Sequence, residues 1–371
     1  MVWQTKKWSE VVDIISGKNQ KAVANPAGKY PIYGSGGIMG YADNYLCDAG
    51  TTIVGRKGTI NNPIFVTSRF WNVDTAFGIS PKEMLVPKYL YYFCRYFNFS
   101  VLDKSTTIPS LAKRDLLAIE MPVPTTDEQE RIVARIEELF SQLDNGVETL
   151  QKTKQQLAVY RQAVLGDVFN GIGDCKTDII QSVCSNIVDC PHSTPKWEPN
   201  GRICLRTTNF KRGYLDLSEK NYVSEEAFSK RNSRLTPTEG DVLYSREGAI
   251  LGIACIIPKG LDLCLGQRMM LLRPNDRMLA RFLMHYLNSP GVTAFVASKI
   301  SGSASPHINV RDIKNFIVPV PPIPHQKQLL QIIDNRISSC NKIEVTIDDA
   351  IKQAEAMRQS ILKKAFEGKL S

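Results

Sequence analysis

The chain has 371 residues, 43% of them hydrophobic and 22% charged, with a formal net charge of +9. That balance excludes a disordered polymer and allows more than one buried core. No run approaches the roughly 18 to 20 apolar residues of a membrane span, and the start MVWQTKKWSE has no apolar signal core, so the sequence reads as cytoplasmic.

Nine scattered cysteines without a CxxC pair argue against a disulfide framework and read as reduced, mostly buried thiols. The positive charge is unevenly placed. Residues 1–125 carry 14 basic against 9 acidic side chains and residues 173–322 carry 19 against 14, whereas residues 126–172 are acidic, with 5 against 8. Two separated basic blocks suit a polyanionic partner.

In chain order, residues 1–125 form a first globular block. YPIYGSGGIMGY (30–41) lacks the GxGxxG order of a nucleotide loop and predicts a turn presenting backbone and Ser35. GTTIVGRKGTINNPIFV (50–66) predicts two strands around an Arg-x-Gly turn, and PKYLYYFCRYFN (87–98) predicts a helix. Residues 126–172 predict a long helix. Its apolar stripe alternates four and three through Ile132, Ile136, Leu139, Leu143, Gly146, Leu150, Thr153, Leu157, Tyr160 and Val164, with DNG (144–146) a candidate kink and Gly171 a candidate cap.

Residues 173–322 form a second block. Here GDVLYSREGAILGIACI (240–256) repeats the strand, Arg-x-Gly turn and strand, and ARFLMHYLNSP (280–290) answers the earlier helix. CSNIVDCPH brings Cys184, Cys190 and His192 near one another, but the spacing fits no zinc site and the residues read as loop thiols. Residues 323–371 predict a second long helix, striped through Leu329, Ile333, Arg336, Cys340, Ile343, Ile347, Ala350, Ala354, Met357 and Ile361, with Gly368 at its cap.

The two halves are copies. Shifting by 197 positions aligns residues 108–140 with 305–337 without a gap, placing Arg114-Asp115 on Arg311-Asp312, Pro122-Val123-Pro124 on Pro319-Val320-Pro321 and Gln129 on Gln326. The register holds to YRQAVLGDVFNG (160–171) on MRQSILKKAFEG (357–368). In the globular blocks the offset drifts to 190 at Arg56 and Arg246. A narrow 3.5-residue seam needs a partner helix, and pairing the two helices with each other supplies it.

Enzymatic signatures are sparse. NNPIF (61–65) departs from the Asn-Pro-Pro-aromatic motif of adenine methyltransferases at Ile64 and reads as a turn; AGKY (27–30) has Tyr30 where a phosphate loop needs a hydroxyl; and the four histidines are dispersed.

MPVPTTDEQERI, VPVPPIPHQKQL, YPIYGSGGIMGY, GRKGTI, FWNVDTAFGIS and GDVLYSREGAILG together resemble the specificity subunits of type I restriction-modification systems over essentially the whole chain. His325, standing where the first copy has Glu128, departs from the pattern and reads as a change in helix start or partner contact. The resemblance implies a mixed α/β (α+β) fold. Two β-rich target-recognition domains (1–125 and 173–322) alternate with two long antiparallel helices (126–172 and 323–371) that form a coiled coil with an internal pseudo-two-fold repeat.

It further implies a non-catalytic reader of double-stranded DNA. Each domain would read half of a bipartite site, and the helices would set the gap and carry two modification subunits. S-adenosylmethionine, ATP and magnesium would belong to those subunits and to any restriction subunits, not to this chain. Side-chain chemistry then nominates Tyr33, Ser35, Arg56, Lys57 and Thr59 in the first block and Arg206, Thr207, Thr208, Asn209, Lys211, Arg212 and Arg246 in the second, with Lys211-Arg212 on phosphates. A coiled-coil adaptor with two protein-binding heads is the alternative, and a self-contained methyltransferase or nuclease a third.

Overall fold

The computed structural model describes residues 3–300 and 306–370; Ser305, where the second aligned segment begins, lies outside them. The chain divides into two compact units, one built from residues 1–151 and 347–371 and the other from residues 152–346.

In the first unit a four-stranded antiparallel sheet has the order Val12–Ser16, Ala76–Pro81, Thr51–Gly55, Ile64–Val66. Thr51–Gly55 is buried along its whole length, as a strand with neighbours on both sides requires. A second sheet of three strands places Tyr30–Gly34 antiparallel to Gly37–Ala42 and parallel to Trp71–Asn72. Gln4–Lys7 and Glu120–Val123 close the unit as an antiparallel pair.

The second unit repeats this plan. Its sheets run Cys184–Asp189, Met269–Pro274, Val242–Ser245, Ala254–Ile256 and Tyr222–Val223, Arg202–Leu205, Leu263–Leu265, the last pair again parallel. Thr177–Ile179 pairs with Ile317–Pro319. It adds a hairpin, Phe210–Lys211 with Tyr214–Leu215, and helices Glu225–Arg231 and Pro290–Lys299.

The predicted short helices form as Pro87–Tyr96 and Ala280–Leu287, each with a hydrophobic face on its sheet. The long helices run Thr126–Asn170 and Ile323–Phe366, and DNG does not break the first. Their starts are 197 positions apart, so His325 leaves the helix start unchanged. Gly368 caps the second helix at φ +69°, but in the first copy Gly173, not Gly171, takes the left-handed conformation, at φ +73°.

Within each unit the helix segments pair antiparallel. In the first unit Arg358 bonds Asp144 while Leu362, Ala365 and Phe366 join Ile132, Ile136 and Phe140 in one core. In the second, Arg161 donates to Glu344 at 2.6 Å, Arg336 meets Asp167 at 3.5 Å, and Leu165 and Val168 pack with Leu329 and Ile333.

The seam differs from the predicted stripe. Tyr160, Ile343 and Met357 are exposed, and the neighbouring polar residues Arg161, Glu344 and Arg358 turn inward. Facing guanidinium and carboxylate groups draw these positions together, which rotates the adjacent apolar side chains outward. The helix ends enter the globular cores: Phe366 lies 5.2 Å from the Tyr89 ring and 5.3 Å from Phe93, and Phe169 lies 5.4 Å from Phe282. Among the described residues no helix is long and apolar enough to cross a membrane.

Candidate nucleic-acid interface

The buried strand Thr51–Gly55 delivers the chain into the turn Arg56-Lys57-Gly58. Arg56 and Lys57 donate their backbone N–H groups to Thr75 O at 2.8 and 3.2 Å, Gly58 N–H donates to Pro109 O at 2.9 Å, and Leu111 N–H returns to Arg56 O at 2.9 Å. Gly58 sits at φ +82°, a left-handed position that favours glycine.

The second unit builds the same turn from Arg246-Glu247-Gly248. Arg246 N–H donates to Arg268 O at 3.0 Å, Gly248 N–H to Pro306 O at 2.9 Å, Ile308 N–H to Arg246 O at 2.9 Å, and Gly248 has φ +88°. The turn is therefore conserved as backbone while its side chains differ, Lys57 against Glu247.

Around the first turn the nominated residues gather. Gly55 allows the approach: a Cβ there would meet Thr59 O at 2.1 Å and Ser35 Cβ at 3.1 Å. Lys57 and Thr59 are exposed and Ser35 is half-buried. Arg56 lies along Phe77 at 5.7 Å with its guanidinium 3.5 Å from Asp74 O. Tyr33 packs edge-on against Phe70 at 5.5 Å, leaving the ring half-buried.

The second unit's nominees divide. Arg206 and Thr208 are exposed, Arg206 lying over the Trp197 ring at 5.5 Å, and Thr207 is half-buried in the same turn. Asn209 is buried. Its Oδ1 accepts Arg206 N–H at 2.9 Å and its amide donates to Asp216 O and Glu219 O, so it shapes the loop rather than facing outward.

Lys211 approaches Asp216 at 3.9 Å, and Arg212 reaches Asn288 O and the Thr293 hydroxyl at 3.5 Å. Arg246 is buried as well: it grips Asp189 through Nε at 2.8 Å and Nη2 at 3.1 Å, with its side chain 7% exposed. A two-pronged pair of this kind fixes the turn and leaves no fork for a base.

Sequence reasoning missed the groups that complete this site. His192, one of the four dispersed histidines, stands 3.0 Å from Asp189, and with Asp189, Arg246, Asn309, Arg311 and Asp312 it lines a recess of about 780 Å³. Of the cysteines read as loop thiols, Cys190 does lie in the loop after the strand Cys184–Asp189, whereas Cys184 is the first residue of that strand. Both are buried, and burial pushes the Cys184 thiol up to about 12. Of NNPIF, Ile64 and Phe65 lie in the strand Ile64–Val66, while Asn61 sits at a bend before it, where its amide donates to Ser100 at 2.7 Å and its oxygen accepts Phe99 N–H at 2.7 Å. Among the described residues no three His, Cys, Asp or Glu side chains gather as metal ligands.

Comparison with known proteins gives a consistent result. The family model described as type I restriction modification DNA specificity domain matches residues 2–158 and again 190–353. The EcoBI specificity subunit of Escherichia coli, a type I restriction enzyme component, is 23% identical over 349 residues, covering 86% of this chain and 73% of the relative. The EcoDI specificity subunit, also from Escherichia coli, is 21% identical over 403 residues, covering 100% and 89%. A chain from a solved structure described as "Structural basis underlying complex assembly and conformational transition of the type I R-M system" is similar in fold, with a TM-score of 0.68 at 19% identity, covering 99% of this chain and 98% of that one.

Proposed function

This chain belongs to the type I restriction-modification DNA specificity family, and on that premise we propose that it is the sequence-reading subunit of such a complex, each unit reading one half of a bipartite, asymmetric site in double-stranded DNA. The observation that carries the reading is the Arg-x-Gly turn built twice with the same backbone bonds, at Arg56 and at Arg246, while the surrounding exposed side chains differ. A conserved mount with divergent side chains is what reading two different sequences requires.

The long helices set the gap between half-sites and dock two modification subunits. Exposed apolar residues on the helices of the second unit, Val159, Tyr160, Ile332, Ile343 and Val345, support docking, since such residues are otherwise left to water. The chain acts in the cytoplasm and performs no chemistry itself. S-adenosylmethionine serves adenine methylation on the modification subunits, and ATP and magnesium serve any restriction subunits that join.

The test is to remove seven residues from each long helix and map methylated sites in cells that also express the modification subunits. At 1.5 Å per residue the helices shorten by about 10 Å, so the gap should close by roughly 3 base pairs while both half-sites stay the same. An unchanged gap overturns the spacing role.

A further inference from the structure

Arg246 stands where a base-reading arginine was expected, yet it is buried on Asp189. A different guanidinium occupies the outer face of that turn. Arg268 lies immediately before the strand Met269–Pro274, its carbonyl accepts Arg246 N–H at 3.0 Å, and its side chain is 51% exposed. It runs over the turn glycine so closely that a Cβ on Gly248 would come within 3.1 Å of Arg268 Nη1. Glu247 Oε1 is 3.7 Å from Arg268 Nε.

The backbone makes this arginine conspicuous. Arg268 has φ +68° and is the one non-glycine residue with positive φ among the described residues. Glycine and asparagine reach that region with less strain. The neighbours hold it there: Gln267 donates to His192 O and, at 3.2 Å, to the Thr194 hydroxyl, while Met269 O accepts Cys190 N–H at 3.1 Å and Met269 N–H donates to Cys190 Sγ at 3.3 Å. The equivalent position in the first unit is Thr75, whose carbonyl accepts the Arg56 N–H in the same way. The mount is shared, and the long cationic fork is particular to the second unit.

The geometry points to Arg268 as a specificity-determining residue that donates its guanidinium fork to the O6 and N7 edge of a guanine in the half-site read by the second unit. This inference rests on the DNA-reading function proposed above. An arginine fork matches that edge bidentately. The Glu247 carboxylate favours a base over a phosphate, because it repels a phosphate while holding the guanidinium in place.

The test uses the full chain assembled with its modification subunits. Methylated sites are mapped for the wild type, Arg268→Asn and Arg268→Lys, and binding is measured on duplexes carrying 7-deazaguanine, which lacks N7, at each guanine in turn. Asparagine tolerates the backbone, so Arg268→Asn should melt at the same temperature or higher. It should lose about ten-fold or more discrimination at one guanine of one half-site and leave the other half intact. One 7-deazaguanine should weaken the wild type and leave Arg268→Asn indifferent.

An unchanged motif with Arg268→Asn overturns the assignment, as does an even loss of affinity across all sequences that Arg268→Lys restores, which signals a phosphate contact. A lowered melting temperature with both half-sites lost assigns a structural role and overturns it too. If the wild-type complex methylates no bipartite sequence, the DNA-reading function itself has failed, a result distinct from all of these.

Discussion

The side-chain oxygen of Gln326 accepts the backbone N–H of Leu279 at 2.8 Å, as the oxygen of Gln129 accepts that of Val86 at 2.8 Å. Each glutamine is fully buried at the fourth position of a long helix, and its amide donates to two carbonyls, Arg277 and Pro321 in one unit and Met84 and Pro124 in the other. One side chain thereby ties three stretches of backbone: the strand exit, the helix start and the entry to the short helix.

Replacing Gln326 with leucine strands an N–H and two carbonyls in an apolar site. Each orphaned group costs about 1–3 kcal/mol. Denaturant unfolding should show a loss of at least about 3 kcal/mol, and Gln129→Leu should behave alike. A loss below about 1 kcal/mol would show that water reaches the clamp.

Asp189→Ala removes the two-pronged partner of the buried Arg246 guanidinium and leaves it only the more distant Glu247 carboxylate, at 3.9 Å. Breaking one side of such a pair costs about 3–5 kcal/mol. Thermal melting should fall accordingly, and methylation should drop at one half-site before the other.

Lys57 is exposed at the first turn. If it contacts a phosphate, Lys57→Ala should weaken DNA binding evenly across sequences and reduce the slope of log affinity against log salt by about 1. A change in the preferred base instead would make Lys57 a base reader.

His285 gives a pH dependence. Burial, followed by the nearby Arg281, lowers its pKa to about 4, Asp334 opposes the shift, and its Nε2 has no hydrogen-bond partner among the described residues. The unfolded chain binds this proton below about pH 6.5 whereas the folded chain resists it, so stability present above that pH is lost progressively as the pH falls towards 4. Melting temperatures between pH 7 and 4.5 should decline, and His285→Leu should flatten the part of the decline that belongs to this group.

Arg161 and Glu344 are 25% and 31% exposed. A double-mutant cycle on this pair should give a coupling of about 0.5–1 kcal/mol that shrinks with added salt.

The repeat was legible because the long helices kept their spacing from copy to copy, and an ungapped match survives substitution of most surface residues. The Arg-x-Gly turns were legible for a related reason: Gly58 and Gly248 hold a conformation that other residues reach only with strain. The inward turn of Arg161, Glu344 and Arg358 was not legible, since a heptad pattern counts apolar side chains and carries no information about ion pairs across the seam. Arg246 was misplaced because its partner Asp189 lies 57 residues upstream, and Arg268 was overlooked because nothing local marks a left-handed arginine. Sheet order was equally hidden: the parallel pairing of Arg202–Leu205 with Leu263–Leu265 joins segments separated by five other strands, two of them in the neighbouring sheet.

The ring of Phe366 completes a core in which it meets Tyr89, Phe93 and Tyr96, rings that emerge from the ribosome long before it. At about 5–20 residues per second the delay is some tens of seconds. Throughout that interval the nascent amino-terminal unit has an open socket, while the intervening unit, complete at residue 346, has all of its own segments about 20 residues before Phe366 is added. Synthesis therefore finishes the middle of this polypeptide before its beginning, and the early half is the part most dependent on protection by chaperones.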